Sequence, residues 1–172
     1  MLKTEQTYKY LNDFAKYVIQ QSRSNLTKQG KNVDKKLYNS LDKEIEVSAN
    51  SFRLTFLMEN YGEFQDKGVS GTKRKYDTPF SYSSKRPPLK PITDWVTKRR
   101  FQFRNKENGK FMSFKSTAYL IAGGILKNGI KPSLFFTKPF EKAYKNLPDE
   151  LVKEFGLDVE NLFDFSIKQP TK

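Results

Sequence analysis

The stretch "EIEVSANSFRLTFL", residues 44–57, decides the fold class. Ile45, Val47 and Ala49 alternate with polar residues, and Phe52, Leu54 and Phe56 do so again after the turn signal Asn50-Ser51. A period of two with one apolar face marks a half-buried strand, so two strands are expected here. Leu57 and Met58 break the alternation, as a bulge or a strand buried on both faces would.

Upstream, the period is helical. Tyr8, Leu11, Ala15, Val18, Ile19, Ser22 and Leu26 recur at intervals of three and four, with Lys9, Lys16 and Arg23 on other faces. This spacing predicts a long helix over 4–29, ended by Gly30 and Asn32. A short second helix is expected after Asp34, a candidate N-cap, with Leu37 and Leu41 as its buried stripe.

Downstream, residues 62–91 show little periodicity and are punctuated by Gly62, Gly68, Gly71, Pro79 and Pro87-Pro88. A compact domain rarely carries so long an irregular connection without a use. After Pro91, "ITDWVTKRR" reads as a short helix with Ile92, Trp95 and Val96 facing inward. Phe101, Phe103, Phe111 and Phe114 flank "RNKENGK", whose Asn108-Gly109 suggests a hairpin tip. Ser116 or Thr117 is the expected cap of a helix through Tyr119, Leu120, Ile121 and Ile125, with Gly129 at a left-handed C-cap. Gly123-Gly124 weakens that helix by about 1 kcal/mol per glycine, which closer backbone packing would offset. "LFF", residues 134–136, reads as strand, followed by a helix that tolerates Pro139 in its first turn. A last helical segment is expected around Leu151–Phe155, then an amphipathic tail, "VENLFDF".

These elements make an α+β fold: a small mixed or antiparallel sheet flanked by a long N-terminal helix and C-terminal helices, with a long irregular middle loop. A single domain over 1–172 is expected, with 66–90 an extended basic, proline-rich loop or arm and 156–172 a C-terminal extension.

Cysteine and histidine are both absent, which removes disulfides, thiol catalysis and imidazole chemistry. No apolar run approaches the roughly 20 residues needed to cross a bilayer. The first residues are too polar for a signal peptide, so a soluble, non-secreted chain with no membrane partner is expected. The net charge is +13 and concentrated in the middle: residues 61–115 hold fourteen Lys/Arg against five Asp/Glu. An acidic partner follows.

The chemistry of sites excludes more than it admits. "GVSGTKRK", residues 68–75, has the wrong spacing for a Walker phosphate loop, places Thr72 before Lys73 and leads into irregular chain. "AGGILKNG", residues 122–129, follows no clear strand and fails as a dinucleotide fingerprint. Glu63, Asp66 and Lys67 have the residue types of a Mg²⁺ nuclease site. Nineteen acidic residues produce such a trio by chance, and pairing with Lys67, Lys73 or Arg74 is the plainer account. The expectation is a chain that is not an enzyme and carries no cofactor or metal. The cations Lys73, Arg74, Lys75, Lys85, Arg86, Lys98, Arg99 and Arg100 form a candidate basic surface, with Lys90 close by. Tyr76, Phe80 and Tyr82 interleave with them and have the faces to stack on bases. The same cations could instead screen phosphates without reading sequence, or meet an acidic protein.

"YGEFQDKGVSGT", then "SYSSKRPPLKPITDWV", then "STAYLIAGGILKNGIKPSLFFTKPFEKAY" resemble, in this order, the neck and tail-completion proteins of tailed bacteriophages, a group that includes head–tail joining and minor tail components. The resemblance spans about residues 8–146. It implies a small α+β structural protein of the virion, acting as a homo-oligomeric ring at the head–tail junction. Portal or connector proteins would lie on one side, tail tube or terminator proteins on the other, and genomic DNA in the path between. Assembly would take place in the host cytoplasm. By the same resemblance, Tyr61, Gly62, Phe64, Lys67 and Gly68 are a strand-to-loop exit, and Trp95 is the packing residue of the short helix. Gly129, Pro132, Phe135 and Phe136 are then the turn and strand before the final helix; none is implied to be catalytic. The chain departs from compact relatives in its longer middle loop and in "LDVENLFDFSIKQP", residues 157–170, which leaves neck adaptor, tail completion and terminator positions all open. A free nucleic-acid-binding module, contacting DNA without sequence preference, is the alternative.

Overall fold

The computed structural model describes residues 4–47 and 51–147. The fold is a small α+β fold: a long N-terminal helix, a short two-stranded sheet and further helices. In chain order the elements are α1 (Thr4–Lys28), α2 (Lys36–Ser40), β1 (Asp42–Val47), β2 (Phe52–Leu57), α3 (Tyr61–Lys67), α4 (Leu89–Lys98), α5 (Phe114–Asn128) and α6 (Thr137–Tyr144). They fall into two compact units, Glu63–Ser133 and the described residues of Met1–Gly62 with Leu134–Lys172. The helix around Leu151–Phe155, the tail and the 156–172 extension lie outside the described residues, as do Ala49 and Asn50 of the hairpin turn.

In the first unit, α1 buries the stripe that its 3.6-residue period lays down. Leu11, Ala15, Val18, Ile19, Ser22 and Leu26 are buried. Tyr8, expected on that stripe, is exposed, and Thr7 holds the buried place one turn before Leu11. Ser22 tolerates full burial because its hydroxyl donates to the Val18 carbonyl at 2.7 Å. Gly30, at φ 64°, ends the helix. Its N–H donates to Thr27 O at 3.0 Å while Lys31 N–H donates to Leu26 O at 2.9 Å, the paired bonds of a Schellman motif. Arg23 secures the next turn: Nε and Nη2 donate to the Tyr38 and Leu41 carbonyls at 3.0 and 2.9 Å. Asp34, the expected N-cap, stands one place ahead of the observed one; its carboxylate accepts Lys36 N–H at 3.3 Å, and Lys35, at φ 55°, occupies the cap.

β1 and β2 pair antiparallel with Lys43 opposite Phe56, Ile45 opposite Leu54 and Val47 opposite Phe52. These pairs share a face because side chains alternate along each strand. Thr55 and Phe56 are buried next to one another, so β2 is covered on both faces there, and Met58 is buried just past the strand's end. Phe56 meets Phe136 edge-on with centroids 5.0 Å apart, and Phe14 meets Phe140 likewise at 5.5 Å. The core is completed by Leu37, Leu41, Met58, Phe135 and Ala143. The expected strand at Leu134–Phe136 is absent. Leu134 sits at φ 51°, outside extended conformations, and the two phenylalanines enter the core from irregular chain that runs into α6, with Pro139 in its first turn.

The second unit is built on α4 and α5, which pack together by burying Val96 on one and Thr117, Ala118 and Ala122 on the other. Their small side chains set the character of the unit, because a close contact made by alanine and threonine leaves no room for large rings. Trp95, expected to face inward, is therefore exposed, and Ile92 is half-buried. Tyr119 and Leu120 are likewise exposed, not on the buried face of α5. α4 begins at Leu89, two residues before Pro91, and the cap of α5 is Ser113, which accepts Ser116 N–H at 3.1 Å. Thr117 is buried within α5, where its hydroxyl accepts Phe103 N–H at 3.3 Å. No backbone outside the helix lies within 4 Å of a Cβ placed on Gly123 or Gly124, so close packing does not offset their cost. The Asn108-Gly109 turn is present, with Gly109 at φ 68° and a bridge between Arg104 and Phe111 behind it.

Candidate functional site

The glycine-rich turn is the pivot of the second unit. Val69 and Ile130 exchange backbone hydrogen bonds at 2.9 and 2.8 Å. Thr72 N–H then donates to Leu126 O at 2.9 Å, and Lys73 and Arg74 both donate to Lys127 O, at 2.8 and 3.2 Å. Amides that a phosphate loop would aim at an anion are here spent on the orphan carbonyls of the α5 C-terminus. The arrangement needs glycine. A Cβ on Gly71 would stand 2.3 Å from Lys127 O, and one on Gly129 2.1 Å from Val69 O. Gly129 has the expected positive φ of 71°, but its ψ of −166° makes it an extended glycine-only conformation in place of the left-handed cap. Gly68 crosses against Pro132, whose Cδ would lie 2.7 Å from a Cβ there.

Tyr61, Gly62, Phe64 and Lys67 lie on α3, so the expected strand-to-loop exit is a helical turn. Glycine at 62 leaves room for Met58 and Leu37, whose side chains would stand 2.7 and 2.9 Å from a Cβ. The Tyr61 hydroxyl is pushed up to about 12, first by burial and then by Asp34 and Glu59, while a hydrogen bond with the Leu37 backbone pulls the other way. Because the folded value lies above the ordinary tyrosine value of 10, Tyr61 favours folding fully below that pH and loses its contribution as pH rises from 10 through about 12. A tyrosinate absorbance titration is expected to show a late component near 12 that disappears in Tyr61→Phe; an unchanged curve would remove this environment.

The imagined acidic site is taken apart by its neighbours. Glu63 pairs with Lys67 at 2.9 Å, one helical turn away, and Asp66 is buried. Among the described residues no three His, Cys, Asp or Glu side chains are grouped to hold a metal ion, and no helix is long and apolar enough to cross a membrane.

The basic residues fall in three groups, two of them set against α5, about 22 Å long at 1.5 Å per residue. Lys73, Arg74 and Lys75 are exposed at its C-terminal end, where positive charge also complements the helix dipole. Lys85 and Arg86 are exposed, and the Arg86 guanidinium lies 4.1 Å from the Tyr119 ring centroid. Lys98, Arg99 and Arg100 end α4, with Arg100 at φ 51° in the left-handed place that closes the helix. Tyr76, Phe80 and Tyr82, the rings expected to stack on bases, are half-buried. Phe80 packs edge-on against Phe64 at 4.6 Å, and burial raises the Tyr82 hydroxyl above its ordinary value. The rings that face outward between residues 90 and 115 are Trp95, Phe101, Phe103 and Phe111. Sequence reasoning placed Trp95 inward and gave Phe101, Phe103 and Phe111 no surface role. The signal available was their setting: residues 90–115 hold eight Lys/Arg against only Asp94 and Glu107.

Comparison of the chain with protein-family models, with curated proteins and with solved structures finds no match.

Proposed function

We propose that this chain is a structural subunit of a bacteriophage head–tail junction, a non-enzymatic protein that forms a homo-oligomeric ring joining the connector to the tail around the DNA path. The observation that carries the reading is the segregation of charge. Glu63–Ser133 holds sixteen Lys/Arg against five Asp/Glu, net +11 of the chain's +13. Repeated around a closed ring, that unit generates a strongly positive rim through which a polyanion passes without sequence readout. The ordered motifs over residues 8–146 support the same assignment. Neck adaptor, tail completion protein and terminator differ in which neighbours flank the ring.

Cryo-EM of the native particle, centred on the portal axis, tests the proposal. The expected result is a ring of copies of this chain between portal and tail; absence of the chain from purified particles overturns it. The role of the basic turn is tested by substitution, not by deleting residues 66–90, because Thr72, Lys73 and Arg74 supply the amides that close α5. Lys73→Glu, Arg74→Glu and Lys75→Glu together keep that backbone and reverse the charge.

A free nucleic-acid-binding module is the competing reading, and the exposed rings beside arginines favour it. It predicts salt-sensitive DNA binding by the isolated monomer and no place in the particle.

A further inference from the structure

Of the exposed rings of the second unit, four fall between residues 95 and 111, where the α4–α5 contact has no use for them. Trp95 and Phe101 are each 42% exposed, Phe103 37% and Phe111 62%. They are ordered, not scattered. Trp95 and Phe101 have centroids 6.4 Å apart, and Phe101 and Phe103 5.1 Å apart and edge-on. Each end of the group carries a guanidinium: Arg99 lies 5.9 Å from the Trp95 ring centroid and Arg104 4.5 Å from that of Phe111. Exposed rings flanked by two arginines, in a unit of net +11, combine stacking surface with phosphate affinity.

From this we infer that Trp95, Phe101, Phe103 and Phe111, with Arg99 and Arg104, form a stacking surface for single-stranded nucleic acid. The choice of strand follows from the rings. In a duplex the base faces are already stacked on each other, which leaves phosphates and groove edges but no open face for a ring. An unpaired strand offers phosphates and open faces together, and stacking is tolerant of sequence because every base has a π-face. The choice of a polyanion over an acidic protein follows from the charge. Residues 90–115 hold eight Lys/Arg against Asp94 and Glu107, an excess that the repeated phosphates of a nucleic-acid backbone neutralise. The inference concerns the isolated chain and does not rest on the junction reading.

Trp95 is the chain's single tryptophan, so its emission reports the site directly. The experiment titrates the full-length protein with a fluorescein-labelled oligo-dT of about 20 nucleotides, and with a duplex of the same length, following both anisotropy and tryptophan emission. The expected result is quenching of Trp95 by oligo-dT and tighter binding of it than of duplex. Trp95→Ala and Phe111→Ala are each expected to weaken oligo-dT binding about fivefold or more while leaving duplex binding unchanged. Trp95→Phe, which keeps a ring, is expected to restore most of the affinity and guards against a folding defect. Equal affinity for both forms without quenching would mean that the cations act alone, and overturns the inference. So would failure to bind either oligonucleotide while Trp95→Ala abolishes self-association in sedimentation, since the rings would then be a protein interface.

Discussion

Gly129→Ala is expected to cost the second unit about 2–6 kcal/mol, summing roughly 1–3 for a strained backbone and 1–3 for overpacking. Gly129 has φ 71° and ψ −166°, a region that side chains do not enter. The added Cβ would stand 2.1 Å from Val69 O and 2.7 Å from Gly71 N, both backbone atoms. Neither can retreat without breaking the Val69–Ile130 bridge or the amides that close α5. Denaturant unfolding, and amide exchange in α5 and residues 69–74, are the measurements. The control lies on the same helix. Nothing is within 4 Å of a Cβ on Gly124, so Gly124→Ala should raise stability by about 1 kcal/mol, the propensity difference between the two residues. Opposite signs from one chemical change would separate a glycine the backbone requires from one it merely contains. An unchanged midpoint for Gly129→Ala would remove the close crossing.

The same contrast explains what was legible in the sequence. The α1 stripe and the hairpin were, because in each a single period carries the burial. Leu11 to Leu26 repeats at helical spacing, and Ile45, Leu54 and their neighbours alternate. Each pattern is written by its own element and read without knowing what covers it. The misplacement of Tyr8 for Thr7 marks the limit: the period fixes a stripe, but which residue at its end is covered depends on the partner.

The second unit was less legible because its packing is made by small residues. Thr117, Ala118 and Ala122 let α4 approach α5 and leave Trp95, Tyr119 and Leu120 outside, and no rule of hydrophobic burial selects an alanine over a tryptophan as the inward residue. The consequence reaches the site: rings able to stack on bases were expected at Tyr76, Phe80 and Tyr82, while the exposed rings include Trp95, which reads as inward-facing. The glycine turn was legible as a turn and illegible as a cap. Its partners, the carbonyls of Leu126 and Lys127, lie more than fifty residues downstream of Thr72 and Lys73.

The "LFF" stretch leads to the other large effect. Phe135→Ala is expected to cost the first unit about 3–5 kcal/mol, the range for truncating a buried phenylalanine. Phe135 is fully buried, in one core with α1, β2 and α6 residues. Its carbonyl accepts from the Asn25 side chain at 3.2 Å, so the backbone is held while the side chain is removed. A chain so fixed collapses poorly around a cavity, which places the cost toward the upper end. Phe135→Leu keeps most of the volume and should cost about 1–1.5 kcal/mol. Set against a total stability of about 5–15 kcal/mol, the alanine variant should lower the denaturant midpoint sharply, with protection lost in α1, β2 and α6. A loss below about 1 kcal/mol would take Phe135 out of the core. Leu134–Phe136 would then be free to form the exposed strand that its composition suggests, and the left-handed Leu134 would lose its reason, since that turn exists to carry Phe135 and Phe136 inward.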